Sequence, residues 1–224
     1  MSTKVKKSLK KGEMLQYRVF VVAEGSWMHA PSSDFLFAYL DNSWDATTKE
    51  AVTTAFKDAL VMSSTIKEAV KTTSGDDVVS GLYLLDQPAM TAAMNSIDGM
   101  GMTAANQNEN KGSGTAVTIN KEFFAAILGG LGGDVEPMMT YLTTQMGDVK
   151  VQTSKSSVTS DFGIVVGLIS LMPVLNVPVT SFQYVYSSSK TSEWFVNTSC
   201  SSTEHHSYDY KYTVVNYNYV KESN

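Results

Sequence analysis

The side chains of this 224-residue chain with the most reactive chemistry gather in one short stretch: Cys200, Glu204, His205 and His206. Thiolate, imidazole and carboxylate are the donors that hold zinc, and a thiol beside an imidazole is a nucleophile with its base. A metal reading needs about four ligands in tetrahedral array, and this Ser/Thr-rich loop has no second cluster to complete one. The nucleophile reading needs only that Cys200 and a histidine meet in space. The plainer reading is a polar turn between two strands, with adjacent histidines pointing to opposite faces. Cys200 is the only cysteine, so no internal disulfide can form. As a lone thiol it is also a candidate acylation site, since each buried CH₂ of a fatty chain adds about 0.8 kcal/mol of membrane affinity.

Other catalytic patterns fail on inspection. There is no Gly-x-Ser-x-Gly elbow, no Walker-type phosphate loop and no His-Glu-x-x-His. The glycines at 99–101 and 129–133 do not follow strands at dinucleotide spacing. No catalytic residue, metal or cofactor is therefore expected, and the protein reads as a non-enzyme. The formal net charge of −5 argues against a nucleic-acid partner. Asn197-Thr198-Ser199 matches an N-glycosylation acceptor, which matters only on a eukaryotic secretory route. Trp27, Trp44 and Trp194 read as packing residues before they read as interfacial anchors.

The elements that position these groups are β-rich. Only 17% of residues are charged, while Ser, Thr and Asn are plentiful, which suits sheet surfaces. No apolar leader follows Met1. Instead Lys4, Lys6, Lys7, Lys10 and Lys11 make residues 1–16 a basic flexible arm, with one domain over 17–224. The arm is either a solvated tail or a contact for anionic lipid, where each Lys is worth about 1 kcal/mol. Tyr17 to Ala23 reads as a strand bounded by Gly25, and Trp27 to Pro31 as a loop. Asp34 would cap a short helix carrying Phe35, Leu36, Ala38, Tyr39 and Leu40. Asp45 caps an amphipathic helix with Val52, Phe56, Ala59 and Leu60 on one face. Ile66, Ala69 and Val70 make a further helical turn, Ser74 to Asp77 a turn, and Val78 to Leu85 a strand. A methionine-rich stretch follows (Met90, Met94, Met100, Met102), then an exposed polar loop over Asn106 to Gly114.

Val117 to Asp148 reads as a helical hairpin with a joint at Gly129-Gly130 and Gly132-Gly133. Its apolar faces carry Phe123, Ile127 and Leu131, then Met138, Met139, Leu142 and Met146. Beyond it, Phe162 to Ser189 contains no charged residue. A transmembrane helix needs about 20 apolar residues, and Pro173, Asn176 and Pro178 interrupt the run. Two strands result, the first central and buried on both faces. Glu193 to Asn197 is a further strand. In the last segment Tyr208, Tyr210, Tyr212 and Val214 alternate with polar residues, and the parity flips at Val214-Val215, which predicts a strand with a β-bulge or bend there.

Two segments, Ala55-Phe56-Lys57-Asp58-Ala59-Leu60-Val61 running into Ser63-Ser64-Thr65, and Val117-Thr118-Ile119-Asn120-Lys121, together with this order of elements, resemble the Cyt δ-endotoxins and their volvatoxin-like relatives. The resemblance implies a three-layer, single α/β (α+β) domain with a central, mostly antiparallel sheet flanked by two helical hairpins. It also implies a secreted or released toxin that binds phospholipid, self-associates on the membrane and makes bilayers leak. The insertion strands would then carry Phe162, Ile164, Val166, Leu168, Leu171, Val179, Phe182, Tyr184, Tyr208, Tyr210, Tyr212 and Val214, and the helical faces named above would contact lipid. Membrane strands need about 9–11 residues, which both apolar segments reach. Equally, the same pattern fits a sheet that never leaves water, or a soluble carrier of an apolar ligand whose methionines line the pocket.

Overall fold

A computed structural model describes residues 17–30, 35–74, 82–83, 87–114, 125, 127–146, 150–153, 163–172, 174–187, 194–197 and 206–220. Among the described residues the elements run β1 (Arg18–Val22), β2 (Gly25–Ala30), β3 (Leu36–Asp41), α1 (Ala46–Ser74), β4 (Leu82–Tyr83), α2 (Gln87–Asn95), β5 (Met100–Gly114), α3 (Glu136–Met146), β6 (Lys150–Thr153), β7 (Gly163–Met172), β8 (Val177–Ser187), β9 (Trp194–Asn197) and β10 (His206–Tyr219), with a further helical turn at 127–129. Eight strands form one sheet in the order β1-β2-β3-β7-β8-β10-β5, with β4 pairing to β7 off this path, and β6 and β9 make a separate ladder. Every pairing is antiparallel except β3 with β7. The protein is an α+β fold with helices on both faces of one mixed sheet, as expected.

The sheet divides two cores by the alternation of its side chains. On one face Met28, Leu36, Ala38, Val165, Ile169, Phe182, Tyr184, Val215 and Tyr217 meet Val52, Phe56, Ala59, Leu60 and Ile66 of α1 and Met90 and Met94 of α2. On the other face Val22, Trp27, Phe37, Tyr39, Val166 and Leu168 meet Leu128 and the α3 residues Met138, Met139 and Leu142. Residues 165–169 of β7 are all buried, which is the central strand foreseen from its unbroken apolar run.

Helix α1 begins where Asp45 was expected to cap it. The Thr48 backbone N–H donates to Asp45 Oδ1 at 2.7 Å, and that bond holds the Asp45 carboxyl below the usual carboxylate range. The helix runs on to Ser74, well past the separate turn read around Ile66. Thr53, Thr65, Thr72 and Thr73 each donate to the carbonyl four residues back, so hydroxyls that compete for the backbone are absorbed within the helix.

Four expectations are corrected. Residues 27–30 are not loop and 36–40 are not helix: they pair as β2 and β3. Both faces of β3 are covered, so no polar residue marks a period of two over residues 35–40, and six apolar residues in a row fit a buried strand as well as a helix. Asn106 to Gly114 is not a loop but the second half of β5, paired residue by residue with β10. Ladder hydrogen bonds satisfy the backbone whatever the side chains are. Last, β10 pairs with β8 without a slip from Tyr212 to Tyr219. The irregularity lies across from Asn216 and Tyr217, where Thr103 is the extra residue in β5. The expected strand from Val78 to Leu85 is described only at Leu82–Tyr83. The basic arm, Asp34, and residues 117–124 of the hairpin lie outside the described residues.

Candidate functional site

Four neighbouring strands stand apart by length. β7 has 10 residues, β8 has 11, β10 has 14 and β5 has 15. They are contiguous and antiparallel in the order β7-β8-β10-β5. β7 and β8 contain no charged residue. In the β10–β5 ladder the register sets Asp209 across from Lys111 and Lys211 across from Glu109. The same ladder sets Tyr208, Tyr210 and Tyr212 across from Gly112, Asn110 and Asn108.

The residues singled out for insertion divide between the two faces. Leu171, Phe182 and Tyr184 belong to the α1–α2 side, and Val166 and Leu168 to the α3 side. Val179 is half-buried, in step with Ser181 and Gln183 on the face of β8 turned away from α1. Ile164, Tyr208, Tyr210, Tyr212 and Val214 have defined places in the ladders, and Phe162 lies outside the described residues. Among the helical residues Met138, Met139 and Leu142 are buried against the sheet, with Ile127 and Leu131 packed at the margin. They contact protein in this state, so contact with lipid requires α3 to move. Met146 ends α3. Phe123 lies outside the described residues.

The joint between the helical segments is built from Gly132 and Gly133, at φ of 82° and 80°, backbone that side-chain-bearing residues adopt only at a cost. It brings the Asp134 carbonyl to Trp27, whose Nε1–H donates to it at 2.7 Å. Under α3 lies His29, which the sequence pattern places in a loop and the structure places in β2. Its ring stacks on Phe37 at 4.7 Å and meets the edge of Tyr141 at 5.4 Å. Neither ring nitrogen has a hydrogen-bond partner, and the Tyr39 and Tyr141 hydroxyls are likewise unsatisfied. Arg18, paired with His29 across the β1–β2 ladder, places its guanidinium carbon 5.4 Å from the Tyr141 ring centroid. Burial, then the nearby Arg18 charge, pushes the His29 pKa down to about 3. His29 is therefore neutral near pH 7. Its signal in the sequence was the alternation of Trp27 and His29 with Met28 and Ala30, visible only once 27–30 is read as a strand.

Cys200, Glu204 and His205 lie outside the described residues, and His206 opens β10. Among the described residues no three His, Cys, Asp or Glu side chains group as metal ligands. Among them too, no helix is long and apolar enough to cross a membrane, which says nothing about strands.

The chain matches no protein-family model and no curated protein. Two solved structures share a loose likeness. The activated Cyt2Ba monomer from Bacillus thuringiensis subsp. israelensis aligns over 74% of this chain and 93% of its own, with TM-score 0.34 and 7% identity. A delta-endotoxin aligns over 98% of this chain and 93% of its own, with TM-score 0.36 and 10% identity. The protein thus has a distant likeness in fold to Cyt toxins, too loose to assign it to their family or to carry an argument about activity.

Proposed function

We propose that the protein binds phospholipid membranes and permeabilises them by oligomerisation and strand insertion, as a secreted or released cytolytic toxin rather than an enzyme. The observation that carries this reading is the block β7-β8-β10-β5: four adjacent antiparallel strands, each of 10 to 15 residues. Each reaches the roughly 9–11 residues that span a bilayer. Two of them lack any charge, and in the other two the register places each acidic residue of the pairs Asp209–Lys111 and Glu109–Lys211 at the position across from a lysine. An open sheet edge in hydrocarbon would leave backbone groups unpaired, so insertion requires copies to close into a barrel. Lipid and further copies of the chain are then the partners, and nucleic acid is not one.

Dye release from phospholipid vesicles tests the reading, with the full chain and with residues 1–11 removed. Leakage that rises with dose, and more steeply than linearly as copies assemble, is the expected result. Greater leakage after trimming makes the Lys-rich arm inhibitory. Intact vesicles with both forms, across neutral and anionic lipids, overturn it.

A further inference from the structure

Eight large hydrophobic side chains are exposed among the described residues. Two of them, Val19 and Val21, lie on the edge strand β1. Of the other six, Met172, Val174, Leu175 and Val177 lie on and beside the β7–β8 turn and Val220 follows the end of β10, while Met102 is set level with Gly167 in mid-β7 through Tyr217 and Phe182. Met172 pairs with Val177 across the β7–β8 turn. Tyr219, at the end of β10, pairs with Thr180 near the start of β8 and with Met100 at the start of β5. Val220 continues from there, donating its N–H to the Gly99 carbonyl at 2.9 Å.

The apex of this end is held in shape. Asn176 takes a left-handed φ of 52°. Its N–H donates to the Met172 carbonyl at 2.8 Å, and its side-chain amide donates to Thr48 Oγ1 at the start of α1 at 3.1 Å. On that pinned turn Val174 is 90% exposed and Leu175 67%. Turns on a protein surface are ordinarily built of polar residues and glycine. Two aliphatic side chains at the apex, with Met172 and Val177 beside them, form an exposed apolar patch of the kind that marks an interaction surface.

The flanking charges identify what the surface meets. β3 runs parallel to β7, so it ends at this same end of the sheet with Asp41. Glu24 precedes β2, whose first residue pairs with Asp41. Asp45 caps α1, Glu50 lies in its first turns, and Asp98 precedes β5. Among the described residues the base beside these acids is Lys49, whose Nζ donates to the Asn42 carbonyl. An acidic rim repels anionic headgroups and tolerates zwitterionic ones. The shape points the same way. Val174 and Leu175 crown a convex turn, which a fluid bilayer surface accepts without the matching hollow that a protein partner must supply.

We infer that this end of the sheet is the surface by which the protein first seats on a bilayer of zwitterionic lipid, with Val174 and Leu175 entering the boundary between headgroups and acyl chains. The inference rests on the membrane reading above and adds where contact begins and with which lipid class. Its test is co-sedimentation of the full chain with phosphatidylcholine vesicles, with and without added phosphatidylserine. Wild type is compared with the Val174→Asp/Leu175→Asp double variant and with Val19→Asp, exposed on the edge strand β1 and set level with Ile169 rather than with the turn. Partition of the double variant onto phosphatidylcholine should fall about tenfold or more, a change of at least about 1.4 kcal/mol, while Val19→Asp should partition as wild type. Added phosphatidylserine should not improve wild-type binding. Undiminished binding by the double variant, with wild type still releasing dye, overturns this surface and leaves the membrane reading standing. Binding that needs phosphatidylserine assigns the contact to basic residues and also overturns it. A double variant that merely converts a solution oligomer to monomer overturns it in favour of contact between copies. Wild type that neither binds nor leaks brings down both.

Discussion

On one face of the sheet the 29-residue helix α1, joined by α2, packs across β2, β3, β7, β8 and β10. On the other, the 11-residue helix α3 and one helical turn pack over β1, β2, β3 and β7, and among the described residues neither β8 nor β10 contributes to that core. The α1–α2 side is mostly aliphatic and aromatic but buries Thr91 Oγ1 of α2 without a partner, while the α3 side holds both ring nitrogens of His29 and the Tyr39 and Tyr141 hydroxyls without partners. An unsatisfied buried polar group costs about 1–3 kcal/mol, so the α3 layer carries penalties that its shorter helix must offset. The difference teaches which layer can leave. Of the long strands, among the described residues only β7 packs under α3, so opening α3, the less costly step, would free one face of β7, while β8 and β10 stay covered by α1 and α2.

The largest effect should separate the layers outright. Phe56 is fully buried at the centre of the α1 core, and Leu142 is buried under α3. Truncating a buried Phe costs about 3–5 kcal/mol and a buried Leu about 2–5 kcal/mol. Phe56→Ala should lower global stability by the full amount in urea unfolding. Leu142→Ala should speed hydrogen exchange at α3 amides while leaving β7 and β8 amides protected. Equal loss of protection across the whole sheet in both variants would show one cooperative unit and end the distinction between the layers.

Acidification should act through the α3 side as well. His29 has its folded pKa lowered to about 3 from an ordinary value of 6.5, with Phe37, Tyr141 and Arg18 around it. Between those two values the unfolded or opened chain binds a proton that the folded chain refuses, so stability falls as pH falls through that window. At about 1.4 kcal/mol per pKa unit, the full loss is a few kcal/mol. His29→Phe keeps the stack on Phe37 and removes both orphan nitrogens. It should flatten the pH dependence of thermal unfolding between pH 6.5 and 4 and leave the neutral-pH midpoint level or higher. A variant with the same acid sensitivity as wild type would assign that sensitivity to other groups.

Much of the first layer was legible and much of the second was not, for reasons that particular residues make plain. The Asp45 cap and the stripe Val52, Phe56, Ala59 and Leu60 marked α1, because half of that helix faces water and its period survives. β7 and β8 were legible from the absence of charge, and the glycine joint from Gly129 to Gly133. Leu36 to Leu40 lost its period because α1 and α3 cover both of its faces, and His29 vanished into a supposed loop for the same reason. The polar half of β5 depends on a partner more than 90 residues away, which no local pattern records. The apolar turn at Val174 and Leu175 was hidden inside a longer apolar run, since exposure belongs to the fold and not to the residue type.

The smallest effect uses two adjacent glycines as an internal control on how tightly the α3 layer is tied down. Gly132 and Gly133 share almost the same left-handed φ, 82° and 80°. A Cβ at Gly132 meets open space, whereas one at Gly133 would run into the ring of Tyr39. Alanine at either position carries a backbone penalty of about 1–2 kcal/mol. Gly133→Ala adds a steric conflict with a side chain that is itself packed against Trp27, at 5.1 Å between ring centroids. Gly132→Ala should therefore lower the unfolding midpoint slightly, and Gly133→Ala by more. The excess should be felt at the Trp27 indole, whose N–H bond to the Asp134 carbonyl spans the same joint. Tryptophan fluorescence in urea reads both quantities. Equal effects would mean that Tyr39 gives way freely and that the joint is looser than its packing implies. A larger effect at Gly133 fixes Tyr39 as the contact through which the glycine joint holds α3 on the sheet.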